Sequence, residues 1–289
     1  MKGKTLRRNE IRGTRAKRIL LNLILLAGAF VMLTPLMWMI STALSPNTLV
    51  APASLIPHDI TLQNFVEAWY FPSTFGRDIT MGRFFFNSIV STAVITVLGI
   101  IVDSLAAYVL AYKEFKGKKF FYYATLATMM IPVYVTLVPE YLLIRDFGWM
   151  NSFKALIIPF LASGMGIQLF RSSFLGLSKE LAEAAKMDGA SDLRIYATII
   201  MPISRPTIGT MTILKFMWSW NQYIWPLVVC TNTEMNTIQL GLNLFKGLNL
   251  TQWGYLCAGM TMAIVPVVVI FLLAQKQFVG GLSSGAVKG

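Results

Sequence analysis

Six long runs of Leu, Ile, Val, Met and Phe divide this chain, at about residues 19–44, 84–112, 119–143, 153–175, 205–230 and 253–275. Each is continuous rather than alternating, and each is long enough for an α-helix of about 20 residues to cross the hydrocarbon layer. Membrane-spanning strands would be about half that length and would alternate polar and apolar positions. The pattern predicts an all-α integral membrane protein with six transmembrane helices. Polar segments separate the runs. Residues 45–83 mix turn formers (Pro46, Pro52, Pro57, Pro72) with Phe65, Trp69, Tyr70 and Phe71, which predicts a small ordered cap with a short helix over 62–69. Prolines at 35, 132, 139, 159, 226 and 266 fall inside apolar runs. Broken helices are tolerated in lipid where a cavity or a neighbouring helix satisfies the freed backbone groups. Such breaks suit a protein with a path and a gate, although proline is also common in membrane helices generally.

Composition agrees. The chain is 55% hydrophobic and only 13% charged, with a mean hydropathy of +0.61, too apolar for a soluble domain. The net charge of +12 changes the picture more through its distribution. Lys2, Lys4, Arg7, Arg8, Arg12, Arg15, Lys17 and Arg18 precede the first run against a single acid, Glu10. Lys113, Lys116, Lys118 and Lys119 follow the second run; Arg171, Lys179, Lys186, Arg194 and Arg205 surround the segment after the fourth. The remaining loops are sparse, with Arg77 and Arg83, Arg145 and Lys154, and Lys246. Basic loops stay cytoplasmic, so both termini are expected inside (N-in/C-in). Topology then accounts for the charge, and no nucleic-acid partner is called for. The first apolar run is too long for the core of a secretory signal, and no convincing cleavage site follows it. Cys230 and Cys257 fall near the outer ends of runs; free buried thiols are expected rather than a pair.

The segment between the fourth and fifth runs carries the most information. Ser178 is an N-cap candidate ahead of Glu180, Leu181 and the Glu183-Ala184-Ala185-Lys186 stretch. Gly189 can close that helix with positive φ. Ser191 and Asp192 can start a second helix over 193–200, ending before Pro202. A short helix, a turn and another helix thus project from the bilayer, with alanines that let a partner surface approach closely. An amphipathic helix lying on the membrane is the competing reading, but its polar face would be dominated by cations. Here Glu180, Glu183 and Asp188 balance Lys186 and Arg194.

Glu183-Ala184-Ala185, three residues, Gly189, nine residues, then Ile199, Met201 and Pro202 resembles the EAA loop of binding-protein-dependent ATP-binding-cassette (ABC) importer permeases, with Met201 where leucine is usual. The resemblance covers essentially the whole chain. It includes Trp220-Asn221-Gln222-Tyr223-Ile224-Trp225-Pro226, and Gln275 to Leu282 looks like the carbohydrate-importer branch. That branch includes the smaller maltose permease subunit and the glycerol-phosphate permeases. The resemblance implies a type I ABC importer permease fold in a bacterial plasma (inner) membrane. It divides the chain into a basic cytoplasmic N-terminus (1–18), a permease domain (19–278) containing the coupling loop (176–204), and a cytoplasmic tail (279–289). Glu183, Ala184, Ala185, Asp188, Gly189 and Pro202 would then couple to the ATPase. The implied partners are a homologous second permease subunit, two ATP-binding-cassette ATPase subunits, an extracytoplasmic solute-binding protein and the lipid membrane. ATP and Mg would be bound by the ATPases, leaving this chain without a cofactor. The outer loop 231–252, with its echo of Gly241, Asn243, Gly247 and Asn249, would contact the binding protein. The resemblance also implies that the tail reaches the ATPase interface.

Polar residues inside spans usually face the bundle interior or a water-filled cavity. Asp103, Asn87, Trp220, Asn221 and Tyr223 are therefore candidates for the translocation path, with an interfacial aromatic belt as the alternative for the tryptophans. Sugar rings have apolar faces and hydroxyl edges, which aromatic planes and amides match. No catalytic or metal-binding pattern is found: His58 stands alone, and Gly3-Lys4-Thr5 lacks the upstream glycine and strand of a phosphate loop. An ion-gradient-driven secondary transporter is the alternative function; it would favour matched repeats and several intramembrane acids. A membrane-embedded enzyme lacks its reacting groups. The cargo stays open among oligosaccharides, monosaccharides, uronate polymers and glycerol-phosphate diesters.

Overall fold

The computed structural model describes residues 2–46, 55–57, 59–75, 79–247 and 251–286, with side chains from 17 to 273. His58, Arg77 and Asn249 lie outside the described residues. Two compact units form: one from the first 68 residues with Phe245–Met262, the other from Trp69–Leu244 with the rest of the last helix.

In the first unit, α1 (Lys2–Leu44) runs straight through Pro35. Its side chains from Ile19 to Leu33 are mostly exposed leucines, isoleucines and other large apolar groups, as expected of a surface solvated by lipid. The helix end is then closed from a distance. Asn64, on the short α2 (Gln63–Tyr70), is buried and donates through Nδ2 to the carbonyls of Ala43 at 2.8 Å and Ser45 at 2.7 Å. These are the carbonyls that a terminating helix leaves without partners. Trp38 meets Trp253 edge-on, with ring centroids 6.2 Å apart. Trp253 starts the last helix, α14 (Trp253–Ala286), which contains Pro266.

The second unit is organised on α3 (Met81–Tyr112). Small and hydroxyl residues on this helix are buried (Ser88, Ser91, Thr92, Thr96, Ser104, Ala107), letting neighbouring backbones approach closely where a hydrophobic driving force between helices is weak. Their hydroxyls reach across. Ser88 accepts from Ile238 N at 2.7 Å, Thr92 bonds Ser219 at 3.1 Å, and Ser104 bonds the Tyr196 hydroxyl at 2.8 Å.

The apolar run at 119–143 becomes two helices, α4 (Lys118–Met130) and α5 (Val133–Asp146), bent by 103°. Pro132 lies at the break: it has no N–H to donate, and it restricts Ile131 before it to extended conformations. The run at 153–175 is α6 (Phe153–Ile157), a 3₁₀ turn over Ile158–Phe160 containing Pro159, and α7 (Gly164–Leu175), bent by 42°. The run at 205–230 is likewise interrupted. α11 (Arg205–Trp220) and α12 (Ile224–Val229) flank a break at 221–223. Among the described residues, three helices, Lys17–Leu44, Met81–Tyr112 and Trp253–Leu273, are long and apolar enough to cross a bilayer, or up to five if each bent pair counts as one span. Apart from an isolated bridge between Lys246 and Thr251, the described residues carry no strand. Both cysteines are free and buried, as expected.

Replacing Asn64 with Ala should expose the α1 end, leaving two buried carbonyls unpaired at roughly 1–3 kcal/mol each. The expected result is a lower thermal midpoint for the membrane-embedded protein, with Asn64→Asp recovering little because a carboxylate cannot donate.

Candidate functional site

The helix predicted after Ser178 is present as α8 (Lys179–Met187), and the Ser178 hydroxyl accepts from Glu180 N at 3.3 Å. Gly189 closes it at φ +80°, and Ala190 N reaches back to Ala185 O at 3.0 Å. A Cβ at 189 would meet nothing within 4 Å, so glycine is required there by backbone conformation alone. Ser191 then caps α9 (Asp192–Ile195), accepting from Arg194 N at 3.4 Å.

The second helix differs from its expected 193–200. A π turn over Tyr196–Ile200 follows α9, and α10 (Met201–Ile203) continues directly through Pro202 to Ser204. The i→i+5 pattern of a π turn removes the need for an N–H at the proline. Pro202 therefore lies within a continuous rod, not beyond its end.

This segment is rooted in a buried cluster. Ile195, Tyr196 and Ile200 pack with Ala107, Tyr108, Ala111, Phe170 and Phe174, and Ala182, Ala185 and Ala190 lie against the same cluster. Lys113 at the end of α3 forms an ion pair with Asp192. That hydrogen bond holds the Asp192 carboxyl below the usual carboxylate range, so the contact is intact at neutral pH and lost only as pH falls through the lowered value. The opposite face is bare: Glu180, Leu181, Glu183, Ala184, Met187, Asp188 and Leu193 are exposed. Of the Glu-Ala-Ala triplet, Glu183 and Ala184 face outward and Ala185 is half-buried.

Asp103 lies wholly within the second unit. One carboxylate oxygen accepts from Ser163 N at 2.8 Å and the other from Ser163 Oγ at 2.7 Å. Lys215 Nζ is 2.9 Å away. Ser163 caps α7 in turn, accepting from Gly166 N at 3.1 Å; any side chain at 166 would collide with Asp103. Lys215 was not singled out in the sequence. The signal is there: a lone cation in the middle of the fifth apolar run. Beside the pair lies a cleft of about 350 Å³ lined by Ile95, Phe160, Ser163, Met165, Lys215 and Trp218.

Asn87 is fully buried and donates to Glu234 O at 2.7 Å and Asn236 O at 2.9 Å. Trp220 is buried, with its indole N–H on Ala263 O at 3.2 Å. Asn221 is exposed and Tyr223 half-buried at the 221–223 break. Gly241 is buried in α13 (Ile238–Leu242) against the Phe84 ring, which leaves no room for a side chain; Asn243 and Gly247 are exposed. Among the described residues no group of three or more His, Cys, Asp or Glu is placed to hold a metal.

A multi-span helical membrane protein with a short, half-exposed helix rooted in its core is the class this geometry defines. Residues 104–280 match the family described as binding-protein-dependent transport system inner membrane component, and the chain belongs to it. It is 36% identical to the probable ABC transporter permease protein YurM of Bacillus subtilis, over 88% of this chain and 83% of that protein. It is 33% identical to the arabinooligosaccharides transport system permease protein AraQ of Halalkalibacterium halodurans, over 90% and 93%. It is 32% identical to the sn-glycerol-3-phosphate transport system permease protein UgpE of Agrobacterium fabrum, over 92% and 95%. A crystal structure of a bacterial ABC transporter involved in the import of the acidic polysaccharide alginate contains a chain that superposes with TM-score 0.80 at 25% identity, covering 92% of this chain and 98% of that one. The protein is thus a permease subunit of an ABC importer and not itself an enzyme. Family membership removes the ion-gradient alternative.

Replacing Asp103 with Asn should strand the Lys215 ammonium in the interior, at about 3–5 kcal/mol. Asp103→Asn combined with Lys215→Met should recover most of the lost thermal midpoint. If the double variant is no more stable than the single one, the pair does not hold α3, α7 and Arg205–Trp220 together.

Proposed function

We propose that this permease forms half of the path of an inner-membrane importer, with six spans, both termini cytoplasmic, and residues 178–204 as its coupling element. The bent pairs at 118–146 and 153–175 and the interrupted helix at 205–229 each count as one span in this reading. The basic residues on one side support the orientation. One observation carries the coupling role: α8 has one face fixed to the buried cluster and the other, with Glu183, Ala184 and Met187, free of partners in the lone chain. An exposed apolar stripe flanked by acids is the kind of surface that marks a protein–protein contact. The partner is an ATP-binding-cassette ATPase subunit holding ATP and Mg, with Glu183 facing its basic groups. Displacement of α8 is transmitted through Tyr196 and Ser104 to α3, and ATP-driven closure switches the two-state bundle. A second permease subunit completes the path, and a solute-binding protein delivers cargo to the outer face.

The cargo class we infer is a sugar or sugar derivative, supported by the relatives' named substrates and by the aromatic and amide groups near the 221–223 break. Asn221 and Tyr223 are the lining candidates. Asp103, Asn87 and Trp220, spent on internal hydrogen bonds, support the path from behind. Asn243 and Gly247 are the accessible candidates for the binding-protein contact, and Gly241, packed on Phe84, positions Asn243.

In reconstituted vesicles with the ATPase and a sugar-loaded binding protein, Glu183→Ala should reduce stimulated hydrolysis by roughly tenfold or more, the scale of an interfacial charge losing its partner. Gly189→Val should do the same by forcing a β-branched residue to positive φ, while membrane insertion stays intact. Wild-type turnover in both variants would refute the coupling assignment.

A further inference from the structure

At the end of α3 a second cavity, of about 550 Å³, opens between α3, the start of α4 and α7. Its polar lining is Glu114, Lys118, Lys119 and Arg171, with Gly117 and Tyr122 between them. The lining cations exceed the single acid, and Glu114 already bonds Lys118 at 2.8 Å. Arg171 lies over the Tyr122 ring, with its guanidinium carbon 4.3 Å from the centroid. Its Nε–H is buried and has no hydrogen-bond partner. An orphaned donor on a positioned guanidinium is costly unless something accepts from it. The first turn of the 13-residue α4 begins at this cavity behind Gly117, so no capping side chain covers its amides, and the positive end of the helix adds to the field. Lysine ammonium groups, a guanidinium donor and the helix-start amides after Lys118, whose own N–H goes to Phe115 O at 3.3 Å, together describe a seat for a phosphate oxyanion.

The surroundings indicate where that phosphate comes from. Phe115, Phe120, Phe121 and Tyr123 are all exposed around the same helix start. Aromatic rings in that number are placed at the headgroup level of a membrane, where one edge is apolar and the other wet. Basic pockets between membrane helices on the cytoplasmic side suit anionic lipid headgroups. We infer that Lys118, Lys119 and Arg171 form a binding site for the phosphate of an anionic phospholipid, seated at the start of α4. The site stands apart from the coupling reading; only its assignment to the cytoplasmic leaflet uses the proposed orientation. Because Lys113, four residues before Gly117, pairs with Asp192 in the coupling segment, an occupied site would brace the loop that holds that segment.

The test is native mass spectrometry of the assembled transporter taken from nanodiscs of phosphatidylglycerol and phosphatidylcholine mixed. The wild type should retain phosphatidylglycerol on this chain in preference to phosphatidylcholine. Lys118→Gln with Lys119→Gln, both near the surface, should weaken that retention by roughly tenfold, and Arg171→Lys should weaken it without loss of assembly. Excess inorganic phosphate should leave the lipid bound. Equal retention of both lipids, unchanged retention in the double variant, or full displacement by inorganic phosphate would overturn the assignment. So would loss of ATPase copurification in the double variant with phosphatidylglycerol retained, which would make the cluster a protein contact. ATPase stimulation, read in parallel, separates failure of this site from failure of the coupling proposal.

Discussion

A single buried charge organises the membrane-embedded core. Asp103 cannot remain ionised inside the bundle without compensation, and three groups supply it: the Ser163 amide, the Ser163 hydroxyl and the Lys215 ammonium. They come from the start of α7 and from Arg205–Trp220, so neutralising the carboxylate requires those two helices to be in register with α3. Apolar packing alone does not specify register inside lipid, because hydrocarbon solvates leucine as well as another leucine does. The ion pair supplies the missing specificity. Such pairs are weak sources of net stability but strict about partners.

From that fixed point the structure extends in two directions. Toward one end, Asn87 holds the 234–236 turn by its backbone, and Ser88 receives the start of α13. Toward the other, Ser104 meets Tyr196 and Tyr112 donates to Phe174 O at 3.0 Å, so the segment after Ser178 is tied to the same helix. α3 therefore links the 234–236 turn at one end to the segment carrying Tyr196 at the other. In the proposed coupling role, the exposed face of α8 is attached to the element that also carries the buried charge pair.

What could be read from the sequence was what is decided locally. Ser178 and Gly189 announced a helix start and stop because capping and positive φ depend on one or two neighbouring residues. Pro132 and Pro159 marked the breaks, though not the angles of 103° and 42°, which are set by packing partners far along the chain. Asp103 was recognisable as an anomaly, but its partner Lys215 is 112 positions away (215 − 103), and nothing local points from one to the other. Gly241 stands in the sequence as a binding-protein contact candidate; it is buried against Phe84, again distant in sequence, which leaves no room for a side chain. Proline ends a regular α-helix, which is why the sequence predicts a stop before Pro202; the π turn at Tyr196–Ile200 lets the rod continue through it.

That π turn at Tyr196–Ile200 has a mechanical meaning. It is an α-helix holding one residue more than its pitch allows, and so it stores an angular offset of about 100° between the rods on either side. A surplus of this kind can move along a helix by exchanging hydrogen bonds one at a time. The joint between α9 and α10 thus resembles a threaded coupling more than a rigid weld, and torque applied at one end need not arrive as simple translation at the other.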